Sequence, residues 1–369
     1  MAQIIAGGNE PSNGGNTEIL QRIQTANWND LKGKPFITVS SKGIANGLSS
    51  IPNDGADFGP DTPGTETSGI QEAWNYAVSN PIGIYGYKKW IPEIKLVGGV
   101  YIVETPIDVS SHGQMNLHIS GSNNMTPYVY AKFNSGYVFN LGSGYNDVDV
   151  LFENMQAAVV GGYSPDGFIY WNSTETSANL QGTFHGKYLN NSAGGWSKYF
   201  IYINNVQLID MEMLEGYGGV DLYGNASRII SIRGFFSGTR DYLHLSAPSI
   251  TIANSYFGGI EINWTGDTTT GIYKVVDTTL LGCDFNQILF NSYKYGANMG
   301  GSYTIIGGRA GNGVLNTFLF QNIGNGGSSI DQARIIGTQI NGALSGNLGY
   351  TNGLRTIGCS HHHHLHHQV

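Results

Sequence analysis

The chain has 369 residues, of which 40% are hydrophobic, so it holds enough apolar material for a large core and is not expected to be disordered. Its formal net charge of -8 provides no basic surface for phosphate groups, which excludes nucleic acid as a partner. No apolar run reaches the roughly 20 residues of a membrane helix, so we predict no membrane insertion.

The composition favours short strands joined by turns, because only 12% of the residues are charged and 54 are Gly. Residues 1–50 are rich in Gly and Asn, and we predict an N-terminal extension or attachment segment without a secretory leader. Residues 51–93 contain an initial turn-rich stretch followed by Ser68-Gly-Ile-Gln71, which resembles a capping box and predicts a short helix over 70–78.

From residue 94 onward the chain carries strand signals, first as two apolar segments around the Gly-Gly turn of residues 94–103. The second half repeats one unit, in which an aliphatic strand, a turn and a second short aliphatic strand follow each other. The first strands begin at residues 209, 232, 252, 276, 306 and 336. Constant strands with variable loops are typical of a stacked solenoid, whereas a β-sandwich does not require one repeated unit. We therefore predict an all-β solenoid over 94–360.

Four motifs between residues 54 and 102 follow each other in a specific order: Asp54-Gly-Ala-Asp57, the Thr/Asp-rich stretch 61–67, Ile70-Gln-Glu-Ala73 and Gly98-Gly-Val-Tyr-Ile102. This order resembles the beginning of the pectate-lyase-like superfamily, which includes tailspikes and polysaccharide-active proteins. The resemblance implies a right-handed parallel β-helix with a short N-terminal capping helix, and often a homotrimer. It also implies contact with a polysaccharide or glycan at an extracellular or virion surface.

The catalytic signatures of that superfamily are missing from the sequence. It contains neither the Asn-Thr-Asp, Asp-Asp and Gly-His-Gly set of polygalacturonases nor the calcium-binding Asp cluster of pectate lyases. We therefore predict a spike-like or adhesin-like protein that binds carbohydrate, and we expect no cofactor and no functional metal site. A glycoside hydrolase or polysaccharide lyase is the alternative, and a structural coat or filament protein is a third reading.

The enzyme alternative rests on one outward-facing column. Alternation along the second strand of each unit directs Asp221, His244 and Glu261 outward, and these are the candidate catalytic residues. With neighbouring coils about 4.8 Å apart, the two carboxylates would lie about 9–10 Å apart, near the upper edge of the range for inverting glycosidases. A solvated acidic–basic ladder explains the same pattern, and a register slip of one residue would turn the column inward.

Five residues near this column are the candidate ligand-binding residues. Tyr223, Tyr242 and Trp264 flank the column, and aromatic faces suit sugar rings. Arg240 and Asp241 lie directly before it in the sequence. Together with the column they predict a glycan-binding surface on the outside of the solenoid.

The remaining polar residues are expected to be structural. We predict a surface ion pair between Asp210 and Arg233, and we interpret His185 as a turn histidine. The His-rich residues 361–369 bind metal in principle, but a tag or disordered tail is the preferred interpretation. Cys283 and Cys359 lie about three coils, or ~14 Å, apart, too far for a disulfide, so both thiols are expected to be free.

Overall fold

The structure is a computed structural model that describes sixteen stretches of the chain: residues 35–41, 56–85, 88–110, 115–122, 126–143, 149–173, 182–192, 194–216, 221–236, 242–264, 276–292, 300–311, 317–322, 329–340, 343–345 and 354–361. These residues form one α-helix and 27 β-strands. No helix within these stretches has the length and apolar character that crossing a membrane requires.

The elements follow each other along the chain, with the longest connection, residues 40–69, between the first strand and the helix. They are β1 (Phe36–Val39), α1 (Ile70–Ser79), β2 (Gly83–Tyr85), β3 (Lys88–Trp90), β4 (Glu93–Leu96), β5 (Val100–Val103), β6 (Ile107–Asp108), β7 (Met115–Gly121), β8 (Tyr128–Ala131), β9 (Tyr137–Asn140), β10 (Asp149–Val159), β11 (Gly167–Asn172), β12 (Thr183–Asn191), β13 (Ile201–Gly216), β14 (Leu222–Phe236), β15 (Tyr242–Ser246), β16 (Ser249–Ala253), β17 (Tyr256–Trp264), β18 (Val276–Leu281), β19 (Asp284–Ser292), β20 (Gly300–Ile306), β21 (Arg309–Ala310), β22 (Thr317–Asn322), β23 (Ser329–Ile336), β24 (Gln339–Ile340), β25 (Ala343–Ser345), β26 (Leu354–Ile357) and β27 (Ser360–His361).

The strands stack in parallel as a β-helix with three faces, which confirms the predicted fold class. Among the described strands, only the β2–β3 hairpin is antiparallel. The first face consists of β1, β4, β7, β10, β12, β13, β14, β16, β18, β20, β23 and β26. The second consists of β5, β8, the ends of β10, β12, β13 and β14, the starts of β17 and β19, β21, β24 and β27. The third consists of β6, β9, β11, the starts of β13 and β14, β15, the ends of β17 and β19, β22 and β25.

In most strands whose side chains are described, alternate residues fill the interior, and like residues lie above one another in neighbouring coils. Phe235, Phe257 and Phe285 are buried in three successive coils, with ring centroids 6.5 and 5.7 Å apart. Full burial of one such ring stabilises the fold by about 1.5–3 kcal/mol. The strands are therefore held by stacked apolar side chains as well as by the hydrogen bonds between coils.

The turn between the first and second faces contains a residue with left-handed backbone conformation in nine consecutive coils. The residue with positive φ lies between the first and second faces, and the column comprises Asn154, Tyr188, Met213, Gly234, Asn254, Gly282, Gly307, Gly337 and Gly358. In four consecutive coils, from Asn254 to Gly337, the turn N–H donates to a carbonyl of the next coil, as Gly282 N does to Ile306 O at 2.8 Å. Gly and Asn suit this position because most side chains strain the left-handed conformation.

Helix α1 begins at Ile70, as predicted, but its first turn differs from the expected capping box. The residue before it, Gly69, has φ 86° and offers no side chain to the helix. The Thr67 hydroxyl instead accepts a hydrogen bond from Gln71 N at 3.0 Å, while Ser68 donates to the carbonyl of Ile102. The buried helix face comprises Ile70, Ala73, Trp74 and Ala77. This face packs at β1, β4 and β6 and covers the N-terminal end of the core.

The strand register confirms one predicted pairing and corrects another. Ile232 pairs with Ile252, as expected. Ile209 pairs with Ile230 and not with Ile232, because β14 begins its first-face segment two residues earlier than the repeat indicated. In addition, β1 falls inside the predicted N-terminal extension yet pairs with β4, so the solenoid starts before residue 94. Both cysteines are free, which confirms that prediction.

Candidate functional site

The predicted catalytic column lies on the third face, but its first member differs. His244 pairs with Glu261, as expected. The residue that pairs with His244 on its other side is Tyr223 and not Asp221. Asp221 precedes β14, where its carbonyl accepts a hydrogen bond from Phe200 N at 2.8 Å. The register therefore does not place an imidazole between the two predicted carboxylate positions, and this part of the prediction is wrong.

An inward-facing glycine explains the two-residue error. The expected inward positions were Val220 and Leu222, whereas the structure pairs Leu222 with Leu243 and Gly224 with Leu245. A Cβ atom at Gly224 would lie 3.2 Å from Ile209 Cδ1, 3.3 Å from Leu245 Cδ2 and 3.6 Å from Ile230 Cδ1. Neighbouring aliphatic side chains thus fill the space that a side chain of residue 224 would occupy. Because glycine is not hydrophobic, a hydrophobic pattern does not reveal this core position.

A tyrosine ladder, formed by Tyr170, Tyr202 and Tyr223, occupies the outward side of the third face in three successive coils. The ring centroids of Tyr170 and Tyr202 are 5.1 Å apart, with an interplanar angle of 15°. Tyr199 lies beside the ladder, 5.4 Å from the ring of Tyr223 and edge-on to the His244 imidazole at 5.2 Å. The three ladder rings stack on one another, so the faces between neighbouring rings are covered by each other.

Burial keeps three phenols of this region, those of Tyr137, Tyr202 and Tyr223, protonated to higher pH than an exposed tyrosine. Burial raises the pKa of Tyr202 to about 12, and the neighbouring phenols contribute in the same direction. Burial also raises the pKa of Tyr223 and of Tyr137, whose ring lies 5.1 Å from that of Tyr170. The phenols therefore remain neutral groups that can both donate and accept hydrogen bonds.

An asparagine ladder, formed by Asn172, Asn204 and Asn225, runs beside the tyrosine ladder. Each asparagine follows a ladder tyrosine by two residues and therefore lies on the same side of the strand. Asn204 Nδ2 donates to Asn172 Oδ1 at 2.7 Å, and Asn225 Nδ2 donates to Asn204 Oδ1 at 2.8 Å. One amide can take part in four hydrogen bonds, so the ladder retains capacity for a ligand.

Two of the other predicted ligand-binding residues lie in strands of the third face. Tyr242 opens β15, and Trp264 ends β17, so both belong to the third face. Arg240 and Asp241 lie outside the described residues. Sequence reasoning identified Tyr223 but missed Tyr170 and Tyr202, although a Tyr-x-Asn pattern recurs in all three strands and provides a signal for the ladder.

The first face carries charged side chains that sequence reasoning treated as structural or did not identify. His185 lies within β12, not in a turn, and its Nδ1 is 3.6 Å from Asp210 Oδ2. Arg233 Nη2 lies 3.8 Å from Asp210 Oδ1 and 3.8 Å from Glu212 Oε2, which confirms the predicted Asp210–Arg233 ion pair. These surface pairs stabilise the fold by about 0–1 kcal/mol each.

A Glu–His–Glu cluster, formed by Glu93, His118 and Glu153, lies nearer the N-terminal end of the same face. The three residues come from β4, β7 and β10, which are successive strands of the first face. His118 Nε2 is 2.9 Å from Glu153 Oε1 and 3.9 Å from Glu93 Oε1. One ligand atom from each residue lies within 4.8 Å of the other two. Sequence reasoning did not identify this cluster, although the alternation of polar and apolar residues around Glu93 and His118 is a signal for outward side chains.

Comparison of the chain with protein-family models, curated protein sequences and solved structures gives no match.

Proposed function

We propose that this protein binds a neutral polysaccharide or glycan along the third face of the β-helix. The observation that carries the proposal is the pairing of the tyrosine ladder with the asparagine ladder on consecutive coils. Sugar hydroxyl groups both donate and accept hydrogen bonds, and the same is true of phenol and amide groups. The two ladders contain no formal charge, which suits an uncharged ligand.

The shape of this surface favours an extended ligand. Equivalent groups recur at each coil, about 4.8 Å apart, so that a chain lying parallel to the solenoid axis meets the same groups repeatedly. Solenoid proteins commonly use such extended surfaces for binding. Because the ladder rings stack on each other, we infer that hydroxyl and amide hydrogen bonds dominate recognition and that ring stacking on sugars is secondary.

The proposal is tested by measuring binding to a panel of neutral surface polysaccharides by isothermal titration calorimetry. Tyr223→Phe removes one hydroxyl and keeps the ring, and Asn225→Ala removes the last amide of the ladder. Each is expected to weaken binding about tenfold, the cost of a lost hydrogen bond of roughly 1.4 kcal/mol. Asn190→Ala, which changes an amide on the second face, is the matched control and should bind as the parent does.

If Tyr223→Phe and Asn225→Ala both bound as tightly as the parent and the Asn190→Ala control, binding by the third face would be contradicted. The same samples are assayed for reducing ends and unsaturated products, because turnover would support the alternative prediction of a glycoside hydrolase or polysaccharide lyase. Location at an extracellular or virion surface and assembly as a homotrimer stay predictions from the superfamily resemblance.

A further inference from the structure

We propose that the Glu–His–Glu cluster on the first face is a binding site for a divalent transition-metal ion of the Zn²⁺ type. Glu93, His118 and Glu153 each contribute one ligand atom, from three successive strands of a parallel sheet. The site lies on a different face from the two ladders, so it is independent of the proposed glycan binding.

The distances between the ligand atoms suit one central ion. Zn²⁺ lies roughly 2.0–2.2 Å from imidazole nitrogen and carboxylate oxygen, so neighbouring ligand atoms are separated by about 3–4 Å. The two separations from His118 Nε2, 2.9 Å to Glu153 and 3.9 Å to Glu93, cover this range. The Ser120 hydroxyl donates to Glu93 Oε1 and so orients one of the two carboxylates. Such supporting hydrogen bonds hold ligand carboxylates in place.

The ligand set favours a metal that accepts a nitrogen ligand and needs few oxygen ligands. Lys95 and Lys187 occupy register positions directly along the sheet from Ser120 and Glu153, so two cationic residues flank the two glutamates. A hard cation such as Ca²⁺ depends on negative charge and on six to eight oxygen ligands, which this cluster does not supply. Imidazole is a preferred ligand of Zn²⁺ and similar ions, so His118 gives the site its selectivity.

The cluster is open enough to exchange its ion. The side chains of His118, Glu93 and Glu153 retain 34%, 26% and 27% of their exposed area. Three protein ligands leave at least one coordination position of Zn²⁺ for water or another small ligand. Binding through Nε2 replaces the hydrogen bond from His118 to Glu153 and requires the neutral imidazole with its proton on Nδ1.

The test compares Zn²⁺ binding by the full-length parent with that of three variants that keep the same His-rich residues 361–369. His118→Asn and Glu153→Gln each remove one ligand, whereas His185→Asn removes a histidine elsewhere on the first face. Calorimetric titration should give one more zinc equivalent for the parent and His185→Asn than for His118→Asn and Glu153→Gln. Zinc should also raise the thermal unfolding midpoint more in the parent and in His185→Asn than in His118→Asn and Glu153→Gln, because ions that bind the native state stabilise it.

Equal zinc stoichiometry and equal thermal shifts in the parent, His118→Asn and Glu153→Gln would overturn the proposal. A thermal shift with Ca²⁺ as large as that with Zn²⁺ would overturn the assigned class of metal. Far-UV circular dichroism checks that each variant is folded, and Glu153→Gln carries the comparison if His118→Asn does not fold.

Discussion

Tyr202 and Tyr223 lie face to face on consecutive coils, with ring centroids 4.5 Å apart and an interplanar angle of 9°. This contact covers one ring face of each residue. Offset stacking of this kind contributes about 0.5–1.5 kcal/mol beyond the area that the rings bury. The ladder therefore both stabilises the coil stack and forms the surface proposed to bind a ligand.

The raised phenol pKa values predict a loss of stability at alkaline pH. An unfolded tyrosine ionises near pH 10, whereas the pKa of Tyr202 in the folded protein is about 12. The folded state thus holds this proton more tightly, so the stability it contributes is complete below about pH 10 and is lost as pH rises towards 12. Denaturant unfolding at pH 9 and 11 should show the decline, and Tyr202→Phe should reduce it.

Tyrosinate absorbance provides the second measurement of the same effect. The native protein should show a group of phenols that ionise later than exposed tyrosines, and Tyr202→Phe should remove one of them. A native titration in which every phenol ionises near pH 10 would contradict the prediction.

Substitution of Gly224 tests the inward position that the sequence pattern concealed. Gly224→Leu should destabilise the protein by about 1–3 kcal/mol, because it forces a large side chain into a filled core. Gly224→Ala should cost much less, since its Cβ meets only the mobile ends of Ile209, Leu245 and Ile230, at 3.2–3.6 Å. The free energy of unfolding in urea measures both changes. Equal stability of the leucine variant and the parent would mean that Gly224 does not face the core.

The repeat in the sequence was sufficient to predict the fold class but not the alignment of every coil. Stacked aliphatic strands require the same apolar unit in each coil, and this regularity predicted both the solenoid and the Ile232–Ile252 pairing. The position of Asp221 could not be predicted, because Gly224 replaces an expected aliphatic residue in the core. Register errors of two residues preserve the inward and outward pattern, and therefore leave no trace in hydrophobic periodicity.

The candidate sites were harder to predict because their residues converge only through the coil register. Glu93, His118 and Glu153 are separated by 25 and 35 residues in the sequence, and each alone resembles an ordinary exposed polar residue. Their proximity depends on loop lengths between coils, which vary along the chain. Tyr223 was identified by its place beside the predicted column, but stacking on Tyr202 requires the pairing of β13 with β14.

The two free thiols should differ sharply in reactivity. Cys283 is buried, its Sγ donates to the carbonyl of Ile252 at 3.3 Å, and burial raises its pKa to about 11. Cys359 is only partly buried. Because the thiolate is the reactive form, a thiol reagent at pH 8 should modify Cys359 in the native protein and Cys283 only after unfolding. Cys359→Ser should abolish the native reaction, and rapid native labelling of that variant would refute the assignment.

Helix α1 covers one end of the coil stack. A stack of similar coils has no internal signal to stop, and its terminal coil offers an apolar surface and an unpaired strand edge on which another coil can continue. Ile70 and Trp74 occupy that apolar surface from within the same chain. Covering this surface leaves less apolar area at the N-terminal end of the core on which a second molecule could stack.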